Sequence, residues 1–165
     1  MNLPNITIQQ LLEAGVHFGH HKRRWNPKME QYIFGIRNNI HIFDLRITLP
    51  LLYKALESLY TISSKSGKIL FVGTKKQASN LVEETAKLTE QYFITKRWFG
   101  GTLTNWNTIS NSIKRYKKLS IDLKKENTGF TKKENLKMGI QRDKLERSLG
   151  GIADMKKVPN MIFMI

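Results

Sequence analysis

His17, His20 and His21 fall within five residues, and they are the first side chains in this sequence whose type and spacing could do chemistry. Imidazoles so arranged can hold zinc, and catalysis on zinc needs three ligands in fixed geometry with an acid or base close by. The chain contains no cysteine, the nearest carboxylates are Glu13 and Glu30, and Gly15 and Gly19 interrupt the helix that would align His17 with His21. The segment reads better as a surface in which His17, His20, His21, Lys22, Arg23, Arg24, Trp25 and Lys28 alternate phosphate-binding groups with a ring that can stack on an exposed base. No metal is expected there.

Two further stretches have the parts of a site. Gly73-Thr74-Lys75-Lys76 joins a strand to a helix, as phosphate cradles do. The nucleotide-binding patterns need two or three glycines where this stretch has one, so a plain tight turn is the better reading. Arg97, Trp98, Phe99, Gly100, Gly101, Thr102, Leu103, Thr104, Asn105 and Trp106 place two aromatic residues, paired glycines and hydroxyls ahead of a helix. They could form a backbone nest for phosphate with Arg97 as its charge, or a hinge with Trp98 and Trp106 as packing anchors. Lys114, Arg115, Lys117 and Lys118 add a basic helix face suited to weak phosphate contact. No nucleophile with its base and no carboxylate pair stands out, so neither catalysis nor a cofactor is expected.

The elements that must position these groups come from 165 residues, enough for about one domain with a real core. Lys and Arg number 28 against 13 Asp and Glu, a net charge of +15, and a polyanionic partner follows from that balance. Hydrophobic content of 40% is that of a folded chain, and no apolar run approaches the 18 residues that span a bilayer. Residues 8–12 predict a short helix capped by Thr7, and residues 17–28 an irregular basic segment. Residues 32–36 and 40–45 predict a strand pair turning at Arg37, Asn38 and Asn39. Residues 50–62 predict a helix packed on more than one side. Residues 68–73 predict a buried parallel strand, followed by a helix over residues 75–89 with Ala78, Leu81, Val82 and Leu88 facing inward. Residues 92–94 predict a further strand, and alternation of this kind belongs to an α/β parallel sheet.

Residues 105–150 break the alternation. Trp106, Ile109, Ile113, Tyr116 and Leu123 keep a coiled-coil seam, Asn127, Thr128 and Gly129 interrupt it, and Leu136, Met138, Leu145 and Leu149 continue a second helix. The expectation is an antiparallel helical hairpin inserted into an α/β domain made of residues 1–104 and 151–165. Met161 to Ile165 is another apolar strand of the kind found inside a covered sheet, so the sheet is expected to be incomplete in this chain: either the chain is a fragment, or a second polypeptide completes the sheet after Ile165.

Several blocks occur in the order seen in one family. Leu12-Glu13-Ala14-Gly15-Val16-His17-Phe18-Gly19-His20, Arg24-Trp25-Asn26-Pro27-Lys28-Met29, Ile69-Leu70-Phe71-Val72-Gly73-Thr74-Lys75, Arg97-Trp98-Phe99-Gly100-Gly101-Thr102 and Leu149-Gly150-Gly151-Ile152 resemble the bacterial-type small ribosomal subunit protein two family. The resemblance covers essentially the whole chain. It implies a flavodoxin-like parallel sheet flanked by helices with an inserted coiled-coil hairpin. It also implies binding to small-subunit ribosomal RNA beside neighbouring ribosomal proteins, with no catalysis. The segment around His17 to Lys28, the Arg97 to Trp106 loop and the hairpin become the RNA-facing candidates. Twenty Lys, 17 Ile and 12 Asn, with no visible targeting peptide, fit an organelle-encoded protein of the mitochondrial ribosome; the bacterial cytoplasm is the alternative location. A nucleotide- or metal-dependent enzyme of flavodoxin-like fold is the alternative function.

Overall fold

The structure is a computed structural model that describes residues 4–124 and 130–165. It divides into two compact units, Met1–Lys65 and Ser66–Ile165, a boundary the sequence patterns did not mark.

In the first unit, Thr7 starts helix α1 (Ile8–Glu13) through a reciprocal capping box. The Gln10 N–H donates to Thr7 Oγ1 at 3.3 Å, and the Thr7 N–H donates to Gln10 Oε1 at 3.0 Å. Strand β1 (Phe18–His21) and two 3-10 helices (Lys22–Arg24 and Pro27–Tyr32) come next, so the stretch expected to be irregular is locally ordered. Asn26 Oδ1 accepts the Lys28 N–H at 3.0 Å and caps the second of these. Strands β2 (Ile33–Arg37) and β3 (Ile40–Phe43) pair antiparallel across Asn38 and Asn39. Both asparagines have positive φ, 50° and 61°, as a two-residue turn of the right twist demands. The sheet order is β1-β3-β2.

Helix α2 (Leu45–Ser64) begins ahead of the expected residue 50, because Asp44 caps it and the helix tolerates Pro50 inside. The Asp44 carboxylate accepts the Arg46 N–H at 2.9 Å and pairs with the guanidinium at 2.7 Å. That side-chain hydrogen bond holds the Asp44 carboxyl below the usual carboxylate range. The expectation of packing on more than one side is corrected: only Leu45 of α2 is buried, and Leu52, Leu56, Leu59 and Ile62 are half-buried along one stripe.

The second unit is built on three parallel strands, β4 (Ile69–Val72), β5 (Tyr92–Ile94) and β6 (Met161–Met164), in the order β5-β4-β6. The central strand accounts for the unbroken apolar run: Ile69, Leu70 and Val72 are buried, Leu70 completely. Helix α3 (Lys76–Leu88) connects β4 to β5 and buries Ser79, Val82 and Ala86. Leu81 and Leu88, expected to face inward, are exposed, because Ser79, Val82 and Ala86 share the face laid on the sheet and the two leucines lie off it.

Helices α4 (Trp106–Asp122) and α5 (Lys132–Leu149) stand between β5 and β6 in the chain. Along α4 the expected seam is the less exposed face: Ile109 and Ile113 are buried, and Trp106, Tyr116 and Leu123 half-buried. On α5, Leu136 is exposed, whereas Met138 and Leu145 are half-buried and Leu149 is buried, at steps of seven and four. Thr131 and Glu134 form the capping box that begins α5, and the Thr131 N–H and hydroxyl hold the Glu134 carboxyl below its ordinary range. Asn127, Thr128 and Gly129 lie outside the described residues. One core joins Leu70, Val72 and Ile94 of the sheet to Ile109, Ile113, Leu149, Ile152 and Met155.

Gly151 sits in the 3-10 turn Gly150–Ile152 that closes over β5, and a Cβ there would lie 2.2 Å from the Phe93 carbonyl oxygen. Gly139, inside α5, has open space around the same position. Gly151→Ala is therefore expected to destabilise the chain by about 1–3 kcal/mol, as overpacking does. Gly139→Ala is expected to stabilise it by about 0.5–1 kcal/mol through helix propensity. Urea unfolding of both variants beside the parent measures the two opposite signs.

Candidate nucleic-acid interface

The basic segment of the first unit is held at both ends. The Lys22 N–H donates to the Asn39 carbonyl at 2.9 Å, tying the end of β1 to the β2–β3 turn, and Pro27 and the Asn26 cap fix the far end. Between these anchors every residue from His20 to Lys28 is exposed. Lys22, Arg23, Arg24 and Lys28 make no ion pair among the described residues, so their charge is offered to solvent. His17 differs from its neighbours. It is half-buried against Phe18, with ring centroids 4.0 Å apart, and its Nδ1 is buried without a partner.

Sequence reasoning missed His41. Lying between Ile40 and Ile42 in β3, it falls on the opposite face of the strand from them, where its residue type gives no sign of burial. It is buried, neither ring nitrogen has a hydrogen-bond partner, and the Trp25 ring stacks on it at 5.3 Å and 29°. Trp25 is thereby fixed on one face while remaining 41% exposed, and a ring so fixed can stack on a base without losing much side-chain freedom. Among the described residues, no group of three or more His, Cys, Asp or Glu is placed to hold a metal ion.

In the second unit the Arg97 to Trp106 stretch divides into a surface and a support. Arg97, Gly100 and Asn105 are exposed. Trp98, Phe99 and Trp106 pack against the core, which is the anchoring role the hinge reading assigned to the two tryptophans. Thr102 is 1% exposed and its hydroxyl donates to the Phe99 carbonyl at 2.7 Å, so it braces the loop from beneath. Gly101 has φ +82°, a conformation side chains rarely adopt, and its carbonyl accepts the Asn105 N–H at 2.8 Å to close the turn into α4. Asn105 Oδ1 accepts from the Thr108 hydroxyl at 3.0 Å.

On α4 the four cations are not equivalent. Arg115 donates to Gln141 Oε1 at 3.1 Å, and Lys117 pairs with Asp154 at 2.8 Å. Lys114 and Lys118, four residues apart on one exposed stripe, have no such partner. The Gly73 to Lys76 turn shows no side-chain cap on α3; Lys75 and Lys76 are exposed.

A model of the family described as ribosomal protein S2 matches residues 11–165. The chain is 56% identical over its full length to the small ribosomal subunit protein uS2 of Chelativorans sp. (strain BNC1), covering 62% of that protein. It is 56% identical to the uS2 of Bartonella quintana (strain Toulouse), covering 64%, and 54% identical to that of Methylobacterium nodulans, covering 47%. The chain thus spans about half to under two thirds of the length of these relatives, all of them bacterial. Reproduced along all but the first ten residues, the family's pattern leaves one assignment: the chain belongs to the ribosomal protein S2 family.

Proposed function

We propose that this chain is a structural, non-catalytic constituent of the small ribosomal subunit that binds small-subunit ribosomal RNA and supports subunit assembly beside neighbouring ribosomal proteins. The observation that carries the reading is the run from His20 to Lys28, wholly exposed, with four cations that have no ion pair and a tryptophan pinned on His41. Phosphates neutralise such cations, and unpaired bases stack on such a ring. In this reading His20, His21, Lys22, Arg23, Arg24, Trp25 and Lys28 form the principal contact. Arg97, Gly100, Gly101, Asn105, Lys114 and Lys118 form a second, in which Arg115 and Lys117 join once their weak exposed contacts yield. His17, Trp98 and Thr102 hold these surfaces in shape.

The same reading treats residues 105–150 as a coiled-coil hairpin inserted into a flavodoxin-like domain. The strand order β5-β4-β6, with the first strand of the unit between the second and third, supports it. The outer edge of β6 pairs with no strand among the described residues, and Ile162, Met164 and Ile165 are exposed beside it. Further strands belong on that edge, supplied by a continuation of the chain or by a second polypeptide. The bacterial relatives favour a ribosome of the bacterial cytoplasm over the mitochondrial one that residue bias pointed to. No helix among the described residues is long and apolar enough to cross a membrane. No observation favours the nucleotide- or metal-dependent enzyme.

Neutralising about seven phosphates gives a slope of log affinity on log salt between about −5 and −6. Replacing Lys22, Arg23 and Arg24 with Ala is expected to flatten that slope by about 2 to 3. Titrating small-subunit RNA fragments at several salt concentrations reads both values, and a slope near zero for the parent chain would rule the reading out. On α4, the double substitution of Lys114 and Lys118 with Gln is expected to weaken RNA binding more than the same change at Arg115 and Lys117. Equal losses in a filter-binding comparison would contradict the assignment of the free pair.

A further inference from the structure

A cleft of about 470 Å³ lies beside the edge strand β5, where its carboxyl end meets α3, α4 and α5. That volume is within the range of about 300–1,000 Å³ usual for small-molecule sites, and the carboxyl ends of parallel strands are where α/β folds take ligands. Thr95 forms part of its wall. It is only 6% exposed, and its hydroxyl has no hydrogen-bond partner among the described residues. A hydroxyl that no protein group engages can both donate to a ligand and accept from it.

The charges on the wall sort themselves. Glu83 holds Lys87 at 2.7 Å and Arg142 holds Asp143, which leaves Lys96 and Arg147 without an ion pair. Two free cations and a hydroxyl lining the same cleft suit an anion of phosphate type. Glu146, the remaining carboxylate on the wall, accepts hydrogen bonds and therefore suits sugar hydroxyls or an exocyclic amine. The Tyr116 ring completes the lining with a surface on which a base can rest, while Lys87 lies over the Phe93 ring at 5.8 Å and Gly151 packs against it.

We propose that this cleft binds a nucleotide: its phosphate on Lys96, Arg147 and the Thr95 hydroxyl, its ribose or base amine on Glu146, and its base against Tyr116. The nucleotide is either free or one unit of an RNA strand, and the RNA source rests on the function proposed above. None of these residues belongs to the basic segment of the first unit, so the two readings fail separately.

Isothermal titration of the full chain with adenosine 5′-monophosphate, inorganic phosphate and a ten-nucleotide oligoadenylate tests the proposal. Thr95→Val, which keeps the shape and removes the hydroxyl, and Arg147→Gln on the exposed rim are run in parallel, with circular dichroism to confirm folding. The expected result is saturable binding of the monophosphate, at least tenfold tighter than phosphate alone and weakened about tenfold by each variant, the loss of one hydrogen bond to a charged group. Binding of the oligoadenylate only, weakened by the same two variants, also supports the site and assigns it to an RNA nucleotide. Phosphate binding as tightly as the nucleotide overturns the proposal, as do variants that change neither affinity and a chain that binds neither nucleotide probe. Oligoadenylate binding that falls only when Lys22, Arg23 and Arg24 are replaced rejects the cleft and keeps the RNA reading. Monophosphate binding in a chain that ignores every RNA keeps the cleft and rejects the other.

Discussion

Charge self-repulsion is the constraint under which this chain folds. With 28 Lys and Arg against 13 Asp and Glu, at least fifteen cations cannot be matched one to one within the molecule, whatever the geometry. The pairs that do form, such as Arg46 with Asp44, Lys87 with Glu83 and Lys117 with Asp154, each have a well exposed cation, so water and salt screen them. Among the described residues, no buried one is a lysine or arginine. The fold therefore keeps its cations at the surface, and a polyanion that gathers them relieves the repulsion while releasing its own counterions.

Displaying charge in this way needs rigid support, and each unit supplies it by different means. In the first, backbone hydrogen bonds and a capped 3-10 helix hold a cationic run that buries almost nothing of its own, while Trp25 is fixed by the ring of a histidine in the sheet beneath. In the second, the wholly buried Leu70 and Ile152 anchor a core shared by the parallel sheet and the first turns of α4. Thr102 and Trp98 then shape the loop whose outer residues, Arg97, Gly100 and Asn105, face solvent. Side chains chosen for packing and side chains available for contact alternate within a few residues of each other.

That alternation explains what was legible in the sequence. Asn38 and Asn39 announced their turn because the turn's backbone demands residues that tolerate positive φ. The β4 run was plain because a central parallel strand is covered on both faces, and the α4 seam because a long helix repeats its period several times. Leu81, Leu88 and Leu136 misled because hydrophobicity does not record which face of a helix meets the core. The start of α2 lay hidden behind Pro50, since the Asp44 cap acts six residues upstream. His41 and Thr95 were invisible for a shared reason: each is a polar side chain placed in the interior by tertiary packing, and only the neighbours reveal that it has no partner.

Central to the proposed function is the docking of ribonucleic phosphates against the unpaired cations of the first unit. Ultraviolet cross-linking of the intact small-subunit particle, with mass spectrometry of the RNA-bearing peptides, tests it most directly. Such docking predicts nucleotide adducts within residues 20–28, Trp25 among them. A chain that migrates apart from RNA, or adducts confined to other parts of the molecule, would contradict it.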